Sequence, residues 1–304
     1  GGATALRKAL AEHHGIKMER IVCGAGSDEL ISLLCSAYAG PGDEVLHTEH
    51  GFLMYAIYAK AAGATSVTAP ETDLKTDVDA LLAAVTERTK IVFLANPNNP
   101  TGTLIAQSEV ERLWQGLPKD IILVLDAAYA EYVEDEDYQP GQKMVDASKN
   151  VVMLRTFSKI YGLGGVRLGW GYASAAIIDV LNRVRGPFNV SSTAQAMGLA
   201  ALLDTDFTEQ MRKDTIETRE WTAKQLHGLG ITTTNSVGNF ILMSMADRIN
   251  RSAAECDAFL KADGVIVRPV AGYGLPDWLR VSIGTKDEMQ AFITTMKQFL
   301  EQTD

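Results

Sequence analysis

Lys90-Ile91-Val92-Phe93-Leu94-Ala95-Asn96-Pro97-Asn98-Asn99-Pro100-Thr101-Gly102 is an apolar run that stops abruptly in a turn of asparagines, prolines and a glycine. A strand with one wet face alternates apolar and polar residues. Ile91–Leu94 does not alternate, so both of its faces are predicted to be covered. Two prolines and a glycine then fix a rigid turn at the carboxyl end of that strand, where open α/β sheets build their sites.

Runs of the same kind recur on either side: Arg20–Cys23, Glu44–His47, Thr65–Ala69, Ile121–Leu125, Asn150–Leu154 and Val166–Tyr172. Helix-compatible segments separate many of them, among them Asp28–Tyr38, Gly51–Ala62, Val78–Val85 and Ser108–Leu117. Strand and helix in alternation predict an α/β fold, a mostly parallel seven-stranded sheet sandwiched by helices. After about Asn189 the pattern changes to two helical stretches, Ser192–Leu203 and Thr208–Leu229. Strand-like Asn239–Met245, Val265–Pro269 and Trp278–Ile283 follow, with a helix over Ala253–Lys261 between the first two. A last helix opens at Thr285-Lys286-Asp287-Glu288, a capping-box pattern. The expected division is a large domain over residues 1–208 and a smaller α+β domain over 209–304.

The 304 residues are long enough for such a pair. A formal net charge of −10 argues against a nucleic-acid or anionic-membrane partner, since either needs a basic face. No stretch approaches the ~18 apolar residues of a membrane span. Cys23, Cys35 and Cys256 are scattered and odd in number, which argues against a disulfide framework and for a reducing cytoplasm. None of the five histidines is spaced as a metal site, and no metal is expected.

Four stretches carry chemistry. Cys23-Gly24-Ala25-Gly26-Ser27-Asp28-Glu29-Leu30 leads from a strand into a helix through small residues. The free N–H groups of that helix start form a phosphate cradle, with an ordinary capped turn as the plain alternative. It is not the dinucleotide fingerprint, because Glu29 stands where the third glycine belongs, and this disfavours a nicotinamide dehydrogenase. The second stretch is the Asn96–Gly102 turn, whose amides can donate to a ligand oxygen. In the third, the strand Ile121–Leu125 ends in Asp126, with Tyr129 three residues on; the carboxylate is either a helix cap or a ligand group. The fourth, Arg155-Thr156-Phe157-Ser158-Lys159-Ile160-Tyr161-Gly162-Leu163-Gly164-Gly165-Val166-Arg167, sets a lysine beside two hydroxyls and an arginine that suit a phosphate.

These pieces, in this order, resemble the fold type I aminotransferases, and specifically the histidinol-phosphate aminotransferase group, along nearly the whole chain. The resemblance implies pyridoxal 5'-phosphate bound covalently by Lys159. It implies Asp126 on the pyridine nitrogen and Tyr129 and Asn99 on the phenolic oxygen. The phosphate falls to the backbone amides of Ser27 and Asp28 and to Thr156, Ser158 and Arg167, and Phe52 stacks on the ring. Arg280, on a strand, matches the arginine that takes a substrate carboxylate, and Arg268 a second anion-binding arginine. The implied reaction moves the amino group of L-histidinol phosphate to 2-oxoglutarate. An aromatic amino-acid aminotransferase is the near alternative, and a non-catalytic cofactor-binding sensor a remote one. The resemblance further implies a homodimer with shared active sites. It also implies an N-terminal arm with a tyrosine for the partner's phosphate site, ahead of the point where Gly1 stands.

Overall fold

In a computed structural model, residues 2–246 and 251–301 are described. The chain opens with helix α1 (Thr4–His14), strand β1 (Ile21–Gly24), α2 (Ser27–Tyr38), β2 (Glu44–Thr48), α3 (Met54–Ala61) and β3 (Thr65–Ala69). A two-residue hairpin, β4 (Glu71–Thr72) and β5 (Lys75–Thr76), leads to α4 (Val78–Ala83), β6 (Thr89–Ala95), α5 (Gln107–Gly116) and β7 (Ile122–Asp126). Then come α6 (Gln142–Ala147), β8 (Val151–Thr156), β9 (Gly169–Tyr172), α7 (Ala175–Val184), α8 (Ser192–Leu203) and α9 (Thr205–Gly228). The chain ends in β10 (Phe240–Ser244), α10 (Ala253–Ala262), β11 (Arg268–Pro269), β12 (Trp278–Ser282) and α11 (Lys286–Glu301).

Seven strands form one sheet in the order β1-β9-β8-β7-β6-β2-β3. The pairs among β8, β7, β6, β2 and β3 are parallel, and β9 runs antiparallel to both β1 and β8. The unbroken apolar runs have a physical cause. On the three central strands Val92, Leu94, Leu123, Leu125, Val151 and Met153 enter one core. Ile91, Phe93, Ile122, Val124, Val152 and Leu154 enter the core on the opposite face. With a side-chain period of two and helices on both sides, every position of such a strand is buried. Each fully buried aliphatic side chain contributes roughly 1.5–3 kcal/mol, so these strands anchor the fold.

A second sheet, β10-β12-β11, is wholly antiparallel and packs a core of its own with α10 and α11. Thr285 and Glu288 make both reciprocal capping bonds before α11, and Ser252 and Glu255 do the same for α10.

Two expected strands are shorter than their sequence pattern. Val166–Tyr172 pairs only from Gly169, because Gly164–Val166 is a single 3-10 turn and Arg167 takes a left-handed backbone (φ 58°). Val265–Pro269 pairs only over its last two residues, at a sheet edge where Pro269 has no N–H to donate. No helix among the described residues is long and apolar enough to cross a membrane.

Candidate active site

The carboxyl ends of β6, β7 and β8 and the start of α2 converge on one cavity. Ser27, Asp28, Phe52, Asn99, Asp126, Tyr129, Thr156, Ser158, Lys159 and Arg167, all the residues the sequence named for a cofactor, line it. Tyr55, Ala95, Pro97 and Ala128 line it too. Tyr55 went unnoticed in the sequence. Its signal was the i, i+3 spacing from Phe52, which puts two aromatics on neighbouring positions of a helical turn.

One end of the cavity is built for an anion. Gly26 caps α2 with φ 84° and has no side chain to satisfy the first amides of the helix. The turn is not capped by a side chain: Gly26 is the cap, and Ser27 and Asp28 stand inside the helix start and line the cavity. Arg167 bends over the same spot, donating to Asp28 Oδ2 at 2.8 Å, to the Gly164 carbonyl at 3.0 Å and to Ser158 Oγ at 3.5 Å. The positive φ at Gly26 favours glycine there, and a Cβ on it would push the Arg167 guanidinium away from the helix start. Thr156 Oγ1 accepts from the Ser158 amide at 3.1 Å, which turns the chain so that Ser158 and Lys159 both reach the cavity.

The opposite wall holds a carboxylate at the tip of β7. Asp126 is 6% exposed; its Oδ2 accepts from the Tyr55 hydroxyl at 2.7 Å and its Oδ1 from the Ala128 amide at 3.3 Å. Burial pushes its carboxyl above the ordinary range. The Tyr55 and Ala128 bonds and the Lys159 charge pull the other way, and the Asp28 charge adds to the rise. Lys159 Nζ sits 5.1 Å from the Tyr129 ring centre. Tyr129 is itself edge-on to Phe240 of β10 at 5.3 Å.

The two arginines named for substrate lie on the small sheet, directly opposite each other in the β11–β12 register. Arg280 reaches across to the large sheet's turn and donates to Asn99 Oδ1 at 2.5 Å. Its Nε is buried without a hydrogen-bond partner. Arg268 is exposed and borders an open cleft together with Arg280, outside the cavity proper. The Asn96–Gly102 turn is thus the seam of the two sheets. Thr234 Oγ1 also donates to the Thr101 carbonyl, and the Val237 amide to that of Gly102.

The exposed amides of a helix start with an arginine beside them, a buried carboxylate and a lysine amine lining one cavity suit a flat, basic aromatic ring bearing a phosphate. The pattern described as aminotransferase class I and II matches residues 1–296. The chain belongs to that family.

Among relatives of this aminotransferase, the histidinol-phosphate aminotransferase of Rhodospirillum rubrum is 57% identical over 300 residues, 99% of this chain and 81% of the relative. That of a Ruegeria species is 58% identical over 294 residues, 97% and 80% of the two chains. Among solved structures, the histidinol-phosphate aminotransferase of Sinorhizobium meliloti in complex with pyridoxal-5'-phosphate superposes with a TM-score of 0.90. It shows 27% identity, covering 98% of this chain and 83% of that one.

Proposed function

We propose that this aminotransferase moves the amino group of L-histidinol phosphate to 2-oxoglutarate by way of pyridoxal phosphate carried on Lys159. The observation that carries the reading is the identity of 57% and 58% to histidinol-phosphate aminotransferases over nearly the whole chain. The cavity supports it, since each of its groups has a task toward that cofactor. When bound, the cofactor supplies an electron-poor ring that accepts the electron pair left when the substrate carbon loses its proton.

The chain's own residues do the rest. The α2 amides, Thr156, Ser158 and Arg167 hold the phosphate, Tyr129 and Asn99 donate to the phenolic oxygen, and Phe52 covers the ring. Asp126 keeps the ring nitrogen protonated. Lys159 Nζ would carry the cofactor and serve as the base that moves the proton at the substrate's amine-bearing carbon. Arg280 takes a carboxylate of 2-oxoglutarate in paired bonds, and Arg268 beside it takes the second anionic group or the phosphate of histidinol phosphate.

The same reading includes a large domain over 1–208 and a small one over 209–304, supported by the third core, whose buried members all lie between Leu226 and Phe299. It includes a homodimer, for which the exposed Phe188, Leu203 and Phe207 offer apolar contact surface. A cytoplasmic setting accords with three free, buried thiols.

The test is to load the protein with pyridoxal phosphate and follow its visible band while adding one amino donor without any keto acid. Faster bleaching by L-histidinol phosphate than by L-phenylalanine is expected. Equal or faster bleaching by phenylalanine would shift the assignment to an aromatic amino-acid aminotransferase, because an imidazole and a benzene pocket differ by only ~1–3 kcal/mol of discrimination. Absence of any band would overturn the cofactor reading itself.

A further inference from the structure

We propose that Tyr55 is a positioning residue for the reaction, its hydroxyl fixing the Asp126 carboxylate so that the shared proton stays on the cofactor's ring nitrogen. The inference rests on the cofactor reading above and extends it to a residue with no assigned part. Tyr55 lies on α3, 71 positions before Asp126 in the chain, yet its hydroxyl donates to Asp126 Oδ2 at 2.7 Å. Three contacts lock its ring. It is stacked on Phe93 of β6, with centroids 4.4 Å apart and planes 4° from parallel. It is edge-on to Phe52 at 5.7 Å and tilted against His47 at 5.9 Å. A phenylalanine would fill the same space, whereas the Tyr55 hydroxyl sets a donor on the buried Asp126 carboxylate of the cavity.

The chemistry follows from the geometry. Burial and the adjacent Asp126 charge hold the Tyr55 phenol well above its ordinary range, so it remains a donor and never an acceptor toward that carboxylate. A hydrogen bond donated to the charged form of an acid stabilises that form and leaves the neutral acid unaided. Between Asp126 and a ring nitrogen, one proton can sit on either partner. The Tyr55 bond favours the arrangement with anionic carboxylate and protonated ring, which is the electron-accepting one. Bonds to charged groups are worth roughly a ten- to hundredfold change in such an equilibrium.

The experiment compares wild type with Tyr55→Phe, which keeps the ring and its stack and removes only the donor. Both are loaded with pyridoxal phosphate carrying nitrogen-15 in the ring, and the nitrogen resonance reports where the proton lies. The expected result is a shift toward the unprotonated ring in Tyr55→Phe, with kcat down about tenfold or more and KM changed less than about twofold. A double-mutant cycle with Asp126→Asn removes the structural explanation: the loss in kcat caused by Tyr55→Phe should vanish in that background. An unchanged nitrogen resonance, or the same kcat loss in both backgrounds, would overturn the proposal while leaving the cofactor reading intact. No visible band in wild type would overturn both.

Discussion

Gly169 offers a sharp test of how the anion cradle is held in place. It is the first residue of β9 and pairs with Gly24 across the antiparallel β1–β9 ladder, beneath the turn that enters α2. A Cβ built there would lie 2.3 Å from the Ser27 nitrogen, 2.6 Å from the Gly26 carbonyl carbon and 3.0 Å from the Ser27 Cα. Ordinary contact begins at 3.4 Å. The turn must therefore move by about 1 Å in Gly169→Ala, and it is main chain with no flexible side chain to yield. Overpacking of this kind costs about 1–3 kcal/mol of stability. The larger effect falls on the ligand, because the displaced atoms are the amides proposed to hold the phosphate. A misplacement near 1 Å is worth up to about a hundredfold. We expect Gly169→Ala to bind pyridoxal phosphate at least tenfold more weakly, measured by absorbance titration of the apoprotein. Gly171→Ala, two positions on along the strand, is the control. Its Cβ would meet only the side-chain ends of Leu154 and Leu30, at 3.2 Å and 3.3 Å, and the Met153 carbonyl at 3.6 Å, so it should lose some stability and little cofactor affinity. Wild-type affinity in Gly169→Ala, or equal losses in both variants, would refute the claim that this glycine sets the cradle's position.

Three further predictions follow from the site and its surroundings. Lys159→Ala should lower turnover by at least about 10²–10⁴-fold while retaining measurable cofactor binding, as the cradle and Asp126 remain; substantial single-turnover activity would contradict the assigned role. Arg280→Lys keeps the charge but loses the planar pair of donors, so KM for 2-oxoglutarate should rise about tenfold or more in steady-state kinetics. His14, packed on Trp170 at 5.0 Å, has its imidazole held down to about 3 by burial first and then by the Arg155 and His13 charges. The unfolded chain then takes up the proton first, so this group's stability contribution is lost as pH falls from about 6.5 toward 3. His14→Gln should flatten the decline of Tm with acid in that window, and an unchanged slope by calorimetry would count against it.

The sequence by itself determined the three central strands of the large sheet, because a strand covered on both faces must be apolar at every position. Ile91–Leu94, Ile122–Leu125 and Val151–Leu154 meet that demand with no ambiguity of period. It also pointed to ten of the cavity's lining residues, through their resemblance to a known family and short segments that suit a ligand: glycines before a helix start, asparagines among prolines, a carboxylate ending an apolar strand, a lysine among hydroxyls. What it could not carry was any partnership between distant positions. That β9 inserts antiparallel between β1 and β8 is a matter of long-range pairing, and four residues, all of them glycine or aromatic, fit either direction. The left-handed backbone at Arg167, which cut short an expected strand, goes with a guanidinium that reaches Asp28, 139 positions earlier. The same holds for Arg280 with Asn99, 181 positions apart, and for Tyr55 with Asp126. Local periodicity records which side of an element is buried, whereas a hydrogen bond between elements depends on where the finished packing sets them, and only the tertiary structure decides that.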